Sequence, residues 1–255
     1  MRELVVVGCG TVVPEADRGA SCFYLETGAS RILMDCGPGS VQALARLHVP
    51  WEGLTDLTIT HFHADHVGAL PGLFFAFTHG LESPREAPID VWGPAGTIRL
   101  FEGLASALGG FMLHPGFEVR LHEIVPGDVV RPGGGATLEA HSTPHTDESL
   151  AYRLEADGAA VGYTGDSGPT ETLGPFMRDV DVLVSECSFL DQEEVDNHLS
   201  PSRVATIAAA ARPGELVLTH IYPHVRAGAD VAELVRAAGF HGPVRIAFEG
   251  LRIPL

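Results

Sequence analysis

The sequence predicts one α/β domain of four layers, in which two β/α halves bring their sheets face to face between outer helices. Three observations carry that expectation. Strand-like runs lead in both halves, amphipathic helical patterns recur between them, and no Ser/Gly linker, low-complexity tract or fixed-period repeat divides the 255 residues. A chain of this length buries a substantial core without accessory scaffold. Residues 1–255 therefore read as a single domain.

In chain order, β-rich runs fall at residues 4–7, 22–26, 31–34, 56–60, 89–92, 117–124 and 137–141, then at 150–154, 159–163, 180–185, 215–219 and 244–248. Helical periodicity appears at 40–47, 66–77, 96–108, 200–211 and 229–238. Ser200-Pro201 reads as a helix N-cap followed by proline at the first helical position, and Gly239 as the stop after Ala238. Gly109-Gly110 and Pro132-Gly133-Gly134-Gly135 read as surface loops within the domain.

Bulk properties narrow the partners. With 45% hydrophobic and 19% charged residues and no apolar run of the ~20 residues a membrane helix needs, the chain is expected to be soluble and free of the membrane. No signal-peptide pattern precedes the run Leu4-Val5-Val6-Val7, which gives a cytoplasmic expectation. Cys9, Cys22, Cys36 and Cys187 form no C-x-x-C pair and are too few for a disulfide framework, so reduced, mostly buried thiols are expected. A formal charge of −17 without a basic block disfavours extended contact with RNA or DNA. Bound divalent cations would reverse the potential locally, so one pocket could still attract an anion.

The strongest chemical signal is His61-Phe62-His63-Ala64-Asp65-His66, which follows the strand-like 56–60 and precedes a helical stretch. His61 and His63 share a direction if strand geometry persists, and the turn into the helix lets Asp65 and His66 converge from another side. That suits two neighbouring ions better than one. Imidazole nitrogen and carboxylate oxygen are donors for Zn²⁺, with Mn or Fe as alternatives. The bland reading is a surface cluster of histidines. Taken alone, Asp166 in Gly165-Asp166-Ser167-Gly168 reads as a turn aspartate, and His220 as a strand-end structural histidine.

H-x-H-x-D-H after a strand resembles the signature of the metallo-β-lactamase superfamily, and further motifs similar to the family's follow in order along nearly the whole chain. The resemblance implies a four-layer αβ/βα sandwich with the metal site at the edge between the sheets. It places His61, His63 and His145 on one ion and Asp65, His66 and His220 on the other, with Asp166 bridging. His145 is preferred over His141 because it lies at the strand's end, leaving His141 as a packed or exposed strand residue. Asp35 falls where family members hold an aspartate behind the metal loop, and is expected to hold the loop or a ligand imidazole.

Val184-Ser185-Glu186-Cys187-Ser188-Phe189 and Asn197-His198-Leu199-Ser200 resemble segments of ribonuclease Z and related phosphodiesterases. The resemblance implies that His198 protonates the leaving oxygen, that Glu186 orients His198, and that Asp65 aligns and deprotonates the attacking water. Against this, Asn197-His198 also reads as a plain loop pair ahead of a helix cap. Ribonuclease Z enzymes carry a long arm that grips transfer RNA. Here the corresponding segment, 146–165, holds only a strand, an Asp157-Gly158 turn and a second strand.

The expected activity is hydrolysis of a small, cyclic or nucleotide-like phosphodiester by two divalent ions. Alternatives are a lactone, thioester or other carboxylic ester hydrolase, a ribonuclease Z-like RNA-processing enzyme, and a non-enzymatic metal-binding sensor. Asp166 stands where zinc β-lactamases usually carry cysteine or serine, which disfavours β-lactams. Family members commonly form homodimers, although no stretch of this chain marks an interface. Phe62, Phe111, Met112, Leu113, His114, Tyr222 and His224 are candidates for substrate contact, with 111–114 equally readable as an apolar loop packed over the core.

Overall fold

The computed structural model describes residues 2–255. The first half contains β1 (Arg2–Gly8), β2 (Cys22–Thr27), β3 (Ser30–Met34), α1 (Ser40–Arg46), β4 (Asp56–Thr58), α2 (Ala64–Val67), α3 (Leu70–His79), β5 (Ile89–Gly93), α4 (Thr97–Leu108) and β6 (Val119–Glu123). The second contains β7 (Val129–Val130), β8 (Thr137–Ser142), β9 (Leu150–Ala156), β10 (Ala159–Tyr163), α5 (Leu173–Phe176), β11 (Val182–Glu186), α6 (Pro201–Ala211), β12 (Glu215–Thr219), α7 (Pro223–Gly228), α8 (Val231–Ala237), β13 (Val244–Ile246) and β14 (Arg252–Pro254).

Two seven-stranded sheets form, ordered β14-β1-β2-β3-β4-β5-β6 and β13-β12-β11-β10-β9-β8-β7. Each is antiparallel on one side and parallel on the other, the changeover falling at β3 and at β10. Alternation along the strands sorts side chains into three apolar layers. Leu4 and Val6 of β1 join Phe23, Leu25 and Ile32 against Leu138, Tyr152 and Val184 of the other sheet. Val5 and Val7 face outward onto Leu70, Phe74 and Phe101 of the helices. The second sheet packs in the same way on Leu173, Val204, Ala208 and Val235. Because β1 is covered on both faces, it reads as a continuous valine run, with each fully buried side chain contributing roughly 1.5–3 kcal/mol.

The helical pattern over 66–77 is broken into α2 and α3. The single turn α2 is pinned by Cys36, whose N–H donates to His66 O at 2.7 Å and whose carbonyl accepts from Ala69 N at 2.9 Å. Pro71, lacking an N–H, starts α3. A side chain at Gly68 would meet Ala64 O at 2.5 Å, so the turn has no room to widen. At the head of α6, Ser200 makes no side-chain cap bond; its hydroxyl donates to Asp191 instead. Gly239, at φ 111°, follows α8 as the stop signal implied. Three further elements, α5, α7 and β14, escaped the sequence reading, as did the two-residue β7.

Asp157 and Gly158 both take positive φ (51° and 77°), the conformation of a two-residue hairpin turn between β9 and β10. The segment between His145 and Asp166 thus holds this hairpin and no arm. Cys9, Cys22, Cys36 and Cys187 are buried free thiols. No helix among the described residues is long and apolar enough to cross a membrane.

Candidate metal centre

The site collects the ends of strands from both sheets. His61 to His66 lie on the loop after β4 and on α2, Asp35 follows β3, and from the other sheet come His145 after β8, Asp166 after β10, Glu186 at the end of β11 and His220 after β12. Asp35 and His220 take left-handed backbone conformations (φ 56° and 53°), rare outside glycine and tolerated best by short polar or imidazole side chains. Such strain persists where surrounding structure holds it, commonly at functional sites.

All seven sequence-derived ligand candidates come together. One donor atom each from His61, His63, His145 and Asp166 lie within 4.8 Å of one another, as do those of Asp65, His66 and His220. Asp166 stands between the groups, with Oδ2 3.8 Å from His61 Nε2, 3.7 Å from His145 Nε2 and 3.6 Å from His220 Nε2, and Oδ1 3.3 Å from His66 Nε2. His63 meets His145 Nε2 through Nδ1 at 3.0 Å, and His220 Nε2 lies 3.2 Å from Asp65 Oδ2.

Among the described residues, three buried atoms here, His61 Nε2, His66 Nε2 and Asp166 Oδ1, make no hydrogen bond of good geometry, the last two being in contact only with each other at 3.3 Å. A stranded buried polar atom costs about 1–3 kcal/mol, and three converging on one point call for something to coordinate. The charge state agrees. Burial pushes the His61 imidazole far down, so it is neutral with a free lone pair. Burial would also neutralise Asp166, yet the His220 and His66 imidazoles hold its carboxyl well below the usual range. Burial works equally against charge on His66, and the carboxylates of Asp166 and Asp35 outweigh it, holding His66 well above its ordinary value. Carboxylate charge here is balanced by a proton on His66, a balance that divalent cations would supply instead. The residues fit such ions.

Behind the donors stand two buried carboxylates arranged alike. Asp35 Oδ2 accepts from His66 Nδ1 at 2.7 Å and from Thr60 Oγ1 at 2.9 Å; the Thr60 oxygen, its proton so committed, accepts from His61 Nδ1 at 3.1 Å. Thr60 N and the Tyr163 hydroxyl also donate to Asp35, each at 2.8 Å. Likewise Glu186 accepts from His198 Nδ1 at 3.1 Å and from Ser188 Oγ, which in turn accepts from His220 Nδ1 at 2.9 Å. Each carboxylate thus grips one imidazole directly and another through a hydroxyl. His145 Nδ1 donates to Asn197 O at 2.8 Å. Of these five imidazoles, the four ligand candidates His61, His66, His145 and His220 are thereby fixed with the proton on Nδ1 and Nε2 facing the cluster, the tautomer metal binding requires. The sequence reading identified Asp35 and Glu186 but missed Thr60, Ser188 and the Asn197 carbonyl. Thr60, adjacent to His61 at a strand end, was the available signal.

A cavity of about 320 Å³ covers the cluster, with Val12, Asn197, His198 and Tyr222 on its walls. For His198, burial disfavours the charge, but the hydrogen bond and charge of Glu186 outweigh it and raise the imidazole above its usual value. Tyr222 stacks on Phe189, with ring centroids 4.6 Å apart. Of the substrate-contact candidates, only Tyr222 lines this cavity. Met112 is fully buried in the outer core, and Phe111 packs edge-on against Phe75 at 5.2 Å, so 111–113 form the apolar packed loop while His114 is exposed. Phe62 packs on the same core, and His224 pairs with Glu193 at 2.8 Å. His141 stacks on Phe176 and bonds Thr172 at 2.8 Å, in keeping with a packed strand residue.

Fold and site together define a metal-dependent hydrolase. The chain belongs to the metallo-β-lactamase superfamily: the pattern of the beta-lactamase superfamily domain matches residues 30–221. It is 30% identical to the ribonuclease Z of Methanosarcina acetivorans, across 87% of this chain and 88% of that one. Identity to the ribonuclease Z of Mycobacterium bovis is 28%, across 96% and 95%. Among solved structures it resembles the metallo-beta-lactamase fold protein YhfI from Bacillus subtilis, with TM-score 0.83, 26% identity and 99% of each chain covered.

Proposed function

We propose that the protein is a dinuclear zinc-dependent phosphodiesterase acting on small or short phosphodiesters. The observation that carries this reading is His198, held by Glu186 on the wall of the metal cavity. A sensor or structural metal site needs no such proton donor, whereas a phosphodiester with a poor leaving group does. The proposed ligands are His61, His63 and His145 for one ion and Asp65, His66 and His220 for the other, with Asp166 shared. When bound, the ions supply a nucleophile at neutral pH and neutralise charge growing on the phosphoryl oxygens.

The chain's own residues do the rest. Asp65, lowered from its ordinary value because the His220 hydrogen bond and the His66 charge outweigh burial, is an anion able to orient the attacking water; its place on the cavity wall, not its basicity, supports the role of proton acceptor. His198 delivers a proton to the departing oxygen, and Glu186 keeps that proton available by favouring the imidazolium. The four buried free thiols support a cytoplasmic setting.

Similarity to ribonuclease Z proteins favours a second reading, an RNA whose end enters the cavity. The hairpin in place of an arm and the charge of −17 favour the smaller substrate. The test is metal analysis followed by assay of bis-p-nitrophenyl phosphate, a dinucleotide, a precursor transfer RNA, a lactone panel and nitrocefin. Turnover of the first two is expected. Stoichiometric metal with no phosphodiester cleaved would refute the proposal, and cleavage confined to the precursor RNA would establish the second reading.

A further inference from the structure

Tyr222 closes one wall of the metal cavity, just past His220 and at the start of α7. Its backbone is tied down on both sides. Tyr222 N donates to Ser188 O at 3.3 Å, Arg226 N donates to Tyr222 O at 3.1 Å, and Pro223 opens α7 directly after it. The ring stacks on Phe189, 26° from parallel, and stands at 74° to the His220 ring with centroids 6.0 Å apart. A ring bracketed in this way has little freedom to swing out of the cavity wall.

The hydroxyl on that ring is unused within the chain. Tyr152 donates its hydroxyl proton to Ile59 O at 2.6 Å and Tyr163 donates to Asp35 at 2.8 Å, whereas among the described residues the Tyr222 hydroxyl makes no hydrogen bond. Burial, and after it the carboxylates of Asp65, Asp166 and Glu186, raise the phenol above its ordinary value, which marks the hydroxyl as the end nearest the cluster. A phenol of ordinary value, near 10, already keeps its proton at neutral pH, so the group is a donor without that shift.

Its place relative to the reaction axis decides what it touches, and here the argument rests on the phosphodiesterase reading. Asp65 orients the attacking water and His198 receives the leaving oxygen, so in-line displacement runs from the first toward the second. His220 adjoins both ends: Nε2 is 3.2 Å from Asp65 Oδ2, and the ring stacks on His198 with centroids 5.7 Å apart. Tyr222, set against His220, therefore flanks the axis beside its middle. The non-bridging oxygens of the phosphoryl group occupy that side, and charge spreads over them in the transition state.

We infer that Tyr222 is a further catalytic residue, whose hydroxyl donates a hydrogen bond to a non-bridging phosphoryl oxygen. The tyrosine keeps its proton throughout and forms no covalent bond; the hydrogen bond strengthens as charge gathers on the acceptor. His198 serves the oxygen that leaves, and Tyr222 an oxygen that stays on phosphorus.

The test is Tyr222→Phe in the zinc-loaded enzyme, which keeps the ring and its stacking and removes one oxygen. Loss of such a donor is expected to lower kcat by about 10²-fold. The loss should be equal for bis-p-nitrophenyl phosphate and a dinucleotide, because the same oxygens take up charge with either leaving group, and KM should move less than about 3-fold. Vanadate, a five-coordinate mimic of the transition state, gives a readout without turnover. It should bind the variant about 10²-fold more weakly, while inorganic phosphate should bind both forms within about 3-fold. Unchanged kcat, a change in KM alone, or a loss confined to the dinucleotide overturns the assignment, the last because it would put the hydroxyl on the leaving oxygen. Weaker vanadate binding to the variant, in a protein that cleaves neither substrate, upholds the donor and overturns the phosphodiesterase reading.

Discussion

Replacing His198 by alanine tests the proposed proton donor separately from the proposed metal ligands. The imidazole hydrogen-bonds to Glu186 through Nδ1, so its removal leaves the other carboxylate, Asp35, and the hydroxyl link from Ser188 to His220 in place. A positioned general acid contributes about 10²- to 10⁴-fold, or roughly 2.7–5.4 kcal/mol at 1.36 kcal/mol per decade. A loss of about 10³-fold, the middle of that range, is expected with a dinucleotide, whose alkoxide leaves only with a proton. Bis-p-nitrophenyl phosphate releases a stable phenolate, and its loss should stay within about 10-fold. The assay is steady-state kcat for both substrates at matched metal content. Glu186→Gln adds a second axis: removing the charge that raises His198 should move the alkaline limb of the pH profile to lower pH. Equal losses on the two substrates, at full metal occupancy, would remove His198 from the proton-donor role.

Further outcomes follow from the geometry. Asp35→Asn keeps a side chain that tolerates the left-handed backbone but weakens the grip on His66 and, through Thr60, on His61; metal affinity in a chelator competition should fall about 10- to 100-fold. Above about pH 7, where the lowered His61 and His63 are neutral both folded and unfolded, metal-free protein should lose stability as pH rises: the raised His66 contributes fully below its unfolded value near 6.5, and that contribution is lost as pH climbs through the higher folded value. Metal-loaded protein should run the other way, losing metal and stability as protons take the imidazoles below roughly pH 6.5, so thermal melts of the two forms between pH 6 and 9 should slope oppositely. Met112→Ala should destabilise by about 2–5 kcal/mol in denaturant melts with kcat/KM unchanged, since this loop is core and not pocket.

The elements legible in the sequence were those with local signatures. The valine run of β1 and the Asp157-Gly158 turn state their structure within a few residues. The metal cluster was legible for the same reason at its first motif, and His145, Asp166 and His220 became legible only through resemblance to a family, because ligands contributed by separate strands share no spacing rule. What stayed hidden depends on contacts between distant segments. Thr60 and Ser188 look like ordinary hydroxyls until a carboxylate from another strand takes their protons. The break after α2 comes from Cys36, thirty residues upstream of His66, and β14 exists only because β1 offers it an edge.

The donors of the centre are divided between the sheets, His61, His63, Asp65 and His66 from one and His145, Asp166 and His220 from the other. A pair of ions bound there would act as a rivet through two plates otherwise held by an apolar seam. With the rivet in, slippage of one plate against the other stretches several coordination bonds at once, and the halves should melt as a unit. With it out, each plate keeps its own helices and is free to loosen separately, so chelation should broaden the melting transition as well as lower it.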